Sequence, residues 1–97
     1  MQGVIQMKYK NMQDAMKVTG VRLRELREAV GLTPTMLGKK CNKHHNVILS
    51  IEKGMTDPSL LLLNELLTAL GSELHEFFDE RFDEIFEQMI EAEHGKM

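Results

Sequence analysis

The sequence predicts an all-α protein of five helices with an extended amphipathic helix at its C-terminal end. Three observations carry this. Apolar residues recur three and four apart in successive segments, the period of a helix face. Residues that cap or stop helices (Thr33-Pro34, Asn42, Gly54, Ser59 and Gly71) fall between those segments. Hydrophobic residues make up 42% of the 97, ample for one small helical core.

Taken in order, residues 1–19 form an N-terminal arm or short helix, partly disordered. Tyr9, Met12 and Met16 recur at helical spacing, and Lys8, Lys10 and Lys17 suit an arm following a phosphate backbone. A frayed leader fits equally, and Met7, Met12 and Met16 are alternative starts. The main domain is placed at 20–78. Its first helix runs from Gly20 to Val30, with Leu23, Leu26 and Val30 on one face and Gly31 as its stop. Residues 32–54 then hold two short helices. Thr33 can cap free amides, and the fixed φ of Pro34 suits the first helical position. Leu37 and Cys41 give this helix its apolar face. Asn42 tolerates the left-handed backbone needed where the chain reverses. The next helix spans about 44–53, with Ile48 and Ile51 inward and Gly54 just past its end. Helix, short turn, helix, glycine stop is a helix-turn-helix plan.

Asp57-Pro58-Ser59 opens the fourth helix, with Ser59 as cap; Leu60, Leu63, Leu66, Leu67 and Leu70 face inward and Gly71 ends it. Leu61 and Leu62 exceed a single stripe, which predicts a second apolar partner. Residues 72–78 begin the fifth helix, and 79–97 extend it. Phe78, Phe82, Ile85, Met89 and Ala92 step by four, three, four and three, a heptad spacing that Phe86 and Ile90 widen. Alone in water this helix exposes aromatic rings, so it folds back on the domain or, as favoured here, packs against its copy in a homodimer. Asp79, Glu80, Asp83, Glu84, Glu87, Glu91 and Glu93 then form its solvated face, and their repulsion favours antiparallel or crossed pairing over a long parallel coil.

Charge is divided along the chain. The net −3 splits into +6 over residues 1–54, from ten Lys/Arg and four Asp/Glu, and −9 over 55–97, from two and eleven. A nucleic-acid reader needs a positive face rather than a positive total, and the basic half coincides with the helix-turn-helix. No run of 18 apolar residues exists to span a membrane, and the acidic tail is repelled by anionic lipid. A single cysteine and the lack of a secretory leader pattern place the chain in a reducing cytoplasm.

Residues 21–78 resemble the lambda-repressor-like (Xre-type) helix-turn-helix family. The residues that carry the likeness are Leu23-Arg24-Glu25-Leu26-Arg27, Gly31-Leu32-Thr33, Leu37, Ile48-Leu49-Ser50-Ile51-Glu52-Lys53-Gly54 and Asp57-Pro58-Ser59, aligned without a gap. The resemblance implies a DNA-binding transcription regulator, a repressor, acting as a homodimer on a pseudo-palindromic operator of double-stranded DNA. It puts His44, His45, Asn46, Val47 and Ser50 on the base-reading surface of the second motif helix. Asn46 suits adenine, His45 either donates or accepts, and Val47 suits a thymine methyl. Lys39, Lys40, Lys43 and Lys53, with Thr33 and Thr35 at the first motif helix, become phosphate contacts. Arg27 and Glu52 become a structural ion pair, and Leu61, Leu62, Phe78, Phe82, Ile85, Phe86, Met89 and Ile90 the dimer interface.

The chain departs from the family pattern at several points. Pro34 stands where relatives place a phosphate-clamping Gln, Gly38 replaces Ala, Asn42 replaces the turn Gly, and Leu49 is apolar on the outer face. These departures support an alternative, in which the fold is a protein-interaction module for another regulatory protein or a toxin. Other chemistries lack their parts. Cys41, His44 and His45 lack a fourth metal ligand, and Cys41 falls on the core side. Ser50, His45 and Glu52 point different ways on one short helix, and no glycine-rich phosphate loop is present. The sequence therefore predicts no enzyme, no cofactor and no metal.

Overall fold

The computed structural model describes residues 12–95. Among them are six helices and no strand: α1 (Met12–Ala29), α2 (Pro34–Cys41), α3 (His45–Glu52), α4 (Leu60–Ala69), α5 (Leu74–Phe77) and α6 (Glu80–Gly95). The expectations for Lys8, Tyr9 and Lys10 and for a start at Met7 lie outside the described residues, as do the side chains of Met12 and Ile90.

The capping chemistry closes as the residue types require. Thr33 Oγ1 accepts from Met36 N at 3.1 Å, and Ser59 Oγ accepts from Leu62 N at 3.1 Å. Asn42 takes φ 55°, the left-handed conformation that lets the chain reverse within one residue. The inward residues of each helix, Leu23, Leu37, Ile48, Ile51, Leu63, Leu66 and Leu67, meet in one core with Val18 and Phe77. Each such side chain stabilises the fold by ~1.5–3 kcal/mol relative to exposure.

α1 begins well before residue 20. Gly20 reads as a helix boundary because glycine in a helix interior costs about 1 kcal/mol. Here it lies mid-helix, where α1 crosses the end of α3. A Cβ at this position would fall on the backbone oxygen of Ile51 and 2.6 Å from that of Glu52. The close crossing lets residues 12–19 join the domain, and Val18 is wholly buried. Val30, expected on the inner face, is 51% exposed, because α1 ends at Ala29 and the chain leaves helical phase.

The larger correction concerns α6, which packs back along α1. Phe82, Ile85 and Phe86 are each 3% exposed within the single chain, and Met89 leans on the same core. The homodimer seam expected of these residues is thus filled intramolecularly. Heptad spacing records that a face is covered, and α1 supplies a nearer cover than a second copy. Asp79 sets the angle: Oδ1 accepts from Phe82 N at 3.2 Å as a helix cap, while Oδ2 accepts from Arg22 NH2 at 3.0 Å. Arg81 grips Glu25 through Nε, at 3.1 Å, and through NH2. Of the other expected interface residues, Leu62 packs against the core, whereas Leu61 and Phe78 stay exposed, with Leu60 beside Leu61. Phe78 rests edge-on against Phe77 and Phe82, with ring centroids 5.0 Å away in both cases. No described helix is long and apolar enough to cross a membrane.

Candidate nucleic-acid interface

The motif is assembled from α2, a three-residue turn and α3. Lys43 N donates to Gly38 O at 2.7 Å across the turn. A Cβ on Gly38 would stand 2.5 Å from Lys43 O, so the absence of a side chain there sets how tightly the turn closes. Gly38 is therefore required by the turn, beyond permitting helices to approach.

Successive residues of an α-helix are rotated by roughly 100°. With Ile48 and Ile51 buried, the outward side of α3 centres on Asn46 and Lys53, flanked by Leu49 and Ser50. Asn46 and Lys53 are exposed, and Leu49 is half-buried. Of the residues expected to read bases, His44 is exposed and His45 half-exposed at the start of α3. Val47 lies on the inward half, partly buried and packed against the core. The Ser50 hydroxyl is held by that of Thr56 in the following loop.

The angle of α3 is fixed from below by Arg27. Its Nε and NH2 donate to Glu52 Oε2 and Oε1 at 2.6 and 2.9 Å, and its NH1 donates to Leu32 O at 2.7 Å. The two side chains are 8% and 5% exposed. One guanidinium thus joins α1, the loop before α2 and the end of α3. The hydrogen bond to Glu52 raises the Arg27 pKa further, so the arginine stays charged throughout.

Lys39, Lys40, Lys43 and Lys53 are exposed, as are Thr33 and Thr35, and Lys40 lines a groove between α2 and α4 together with Asn64 and Glu65. Arg22, Arg24, Arg27 and Arg81 each sit within ion-pair distance of a carboxylate. The four lysines have no such acidic partner among the described residues, so their charge is available to an anion. Cys41 is half-buried, with Sγ 3.7 Å from Glu65 O, and burial pushes its thiol pKa up, away from the reactive thiolate.

Sequence reasoning missed the role of His44. Its Nδ1 accepts from Asn46 N at 3.1 Å, making it the N-cap of α3. Histidine is outside the usual capping set, and only its position one residue before the helix could have pointed to this role. It also missed the Arg22–Asp79 and Arg81–Glu25 links, which join segments 57 and 56 residues apart.

The helix-turn-helix family model matches residues 23–77. The HTH-type transcriptional regulator PuuR of Escherichia coli (strain K12) is 33% identical over 79 residues, covering 81% of this chain and 43% of PuuR. The chain therefore spans less than half the length of that relative. An uncharacterized HTH-type transcriptional regulator of Methanothermobacter thermautotrophicus is 37% identical over 51 residues, 53% of this chain and 74% of its own length. The crystal structure of the clp gene regulator ClgR from Corynebacterium glutamicum superposes with a TM-score of 0.75 over 87% of this chain and 85% of ClgR, and at 19% identity that likeness is one of fold. With its capped α2, left-handed turn, α3 and Arg27–Glu52 brace all falling inside the matched segment, the chain belongs to the lambda-repressor-like (Xre-type) helix-turn-helix family of transcriptional regulators.

Proposed function

We propose that this chain binds double-stranded DNA as a homodimer, inserts α3 into the major groove of a pseudo-palindromic operator, and represses transcription by occupying it. The observation that carries the reading is the asymmetry of the cations: each arginine sits within ion-pair distance of a carboxylate, while four exposed lysines, on α2 (Lys39, Lys40), in the turn (Lys43) and at the end of α3 (Lys53), have no acidic partner among the described residues. Phosphates are the natural complement of such lysines. Asn46, exposed at the centre of the outward face of α3, has the amide geometry for a bidentate bond to adenine N6 and N7. Dimerisation falls to Leu60 and Leu61, exposed at 67% and 69% on α4.

Fluorescence anisotropy on a duplex from the region upstream of its own gene, over a salt series, tests this. If four lysines on each of two protomers neutralise phosphates, log K falls against log salt with a slope of about −7. Asn46→Ala should weaken binding to that duplex selectively, and Lys40→Ala should weaken all duplexes and flatten the slope. Leu61→Glu should halve the mass seen in sedimentation at micromolar concentration. A flat salt response refutes the DNA reading.

The half-exposed Leu49 on the same face supports a second reading, in which α3 docks a protein partner such as a regulator or toxin. That reading wins if the protein ignores DNA and holds a partner that Leu49→Glu releases.

A further inference from the structure

We propose that His44 presents a hydrogen-bond donor of fixed polarity at the DNA-facing edge of α3, its tautomer set by the helix that it caps. This rests on the reading that α3 faces DNA, but the tautomer itself is a property of the free protein.

The geometry leaves one arrangement. Asn46 N carries a hydrogen and lies 3.1 Å from His44 Nδ1, so Nδ1 must offer its lone pair. A neutral imidazole carries a single N–H, which is then on Nε2. The ring is exposed and its Nδ1 edge is turned back to the helix, so the opposite edge, with Nε2–H, meets solvent. The ring of His45, 4.2 Å away centroid to centroid and tilted by 32°, lies against it and limits its rotation. An unrestrained histidine chooses between donating and accepting by exchanging tautomers. His44 has given up that choice, because accepting at Nε2 would move the proton to Nδ1 and break the cap.

A donor-only group selects its partner by chemistry. It can bond a purine N7, a guanine O6, a thymine O4 or a phosphate oxygen, and it cannot bond the exocyclic amino groups of adenine or cytosine. His44 therefore complements an acceptor, while the neighbouring Asn46 amide can both donate and accept. Two adjacent side chains thus divide the work: one reads only acceptors, the other reads paired donor and acceptor.

Asparagine caps a helix as well as any residue but is too short to place a donor where Nε2 stands, so His44→Asn separates the cap from the donor and His44→Ala removes both. The first readout uses the free protein at about pH 8. Long-range 1H–15N correlation, with His44→Asn identifying the ring by the signals it loses, should show the proton on Nε2. Asn46 amide exchange should quicken about tenfold in His44→Ala and stay slow in His44→Asn. A proton on Nδ1, or unchanged exchange in His44→Ala, overturns the fixed tautomer.

The second readout uses a duplex selected by the wild-type protein from a randomised pool, substituted one position at a time with 7-deazapurines (no N7), with 2-aminopurine for guanine (no O6), with 5-methyl-2-pyrimidinone for thymine (no O4) or with methylphosphonates. One substitution should lower wild-type affinity about tenfold and leave His44→Asn unmoved; a base analogue identifies a base acceptor, a methylphosphonate a phosphate. The absence of any such position overturns the donor role. A wild-type protein that selects no duplex overturns the proposed function and the donor's target together, and the amide exchange still decides the tautomer independently.

Discussion

Replacing Arg27 by methionine should strip the fold of its central brace while nearly conserving volume. The substitution removes three hydrogen bonds, two to Glu52 and one to Leu32 O. It also leaves the Glu52 carboxylate, 5% exposed, without its counter-charge. Stranding one partner of a buried pair costs roughly 3–5 kcal/mol. Against the 5–15 kcal/mol of net stability usual for a small domain this is a large fraction. At about 4–8 °C per kcal/mol, Tm should fall by at least ~12 °C. The double variant Arg27→Met/Glu52→Leu removes both charges and should recover most of the loss, because the unpaired carboxylate is the main penalty. Urea unfolding of wild type, both single variants and the double variant gives the cycle directly. A single-variant loss under ~1 kcal/mol, or a double variant no more stable than Arg27→Met, refutes the argument that desolvated charge dominates here.

Three further outcomes follow from other contacts. Gly20→Ala gains about 1 kcal/mol of helix propensity yet pushes a methyl onto the backbone of Ile51 and Glu52, so it should destabilise by ~1–3 kcal/mol net; a rise in Tm refutes the close crossing. Phe82→Ala should cost about 3–5 kcal/mol in the urea midpoint without changing sedimented mass, since the ring is buried within one chain. The Arg81 hydrogen bond and charge hold the Glu25 carboxyl below its usual value of 4.5, with Arg22 assisting and burial opposing. A carboxyl whose folded pKa is depressed contributes stability above its unfolded pKa and loses it as pH falls through the folded one. The Tm difference between wild type and Arg81→Gln should therefore be present at pH 7 and vanish in acid below that folded value; a constant difference argues against the link.

What the sequence discloses divides along a physical line. Local chemistry is legible: Thr33 and Ser59 cap, Asn42 turns left-handed, and Leu63, Leu66 and Leu67 of α4 face inward, because each depends on neighbours within a turn or two; Leu60, expected inward with them, is 67% exposed because it stands in the first turn, beyond the reach of the core. The position of Arg27 against Glu52 is reached only through family resemblance, since 25 residues separate them. Non-local partners are hidden. Gly20 looks like a boundary until the end of α3 is seen across from it. Phe82, Ile85 and Phe86 announce a covered face without saying what covers it, and Arg81 and Glu25 carry no mark of each other. On α3 the phase distinguishes Asn46 from Val47, but no spacing rule tells that the His44 ring is engaged as a cap.

The fold-back of α6 bears on how this gene can be cut. The family match ends at residue 77, yet the flank of α1 is roofed by side chains that come after it. A fragment trimmed at that border discards Phe82, Ile85 and Phe86, unroofs Phe77, and leaves Arg22 and Glu25 without Asp79 and Arg81. Bare apolar surface of that kind favours aggregation. Grafting the motif onto another scaffold, or expressing it alone for binding studies, should carry residues 12–22 and 79–89 with it; for this chain the portable unit is larger than the recognisable one.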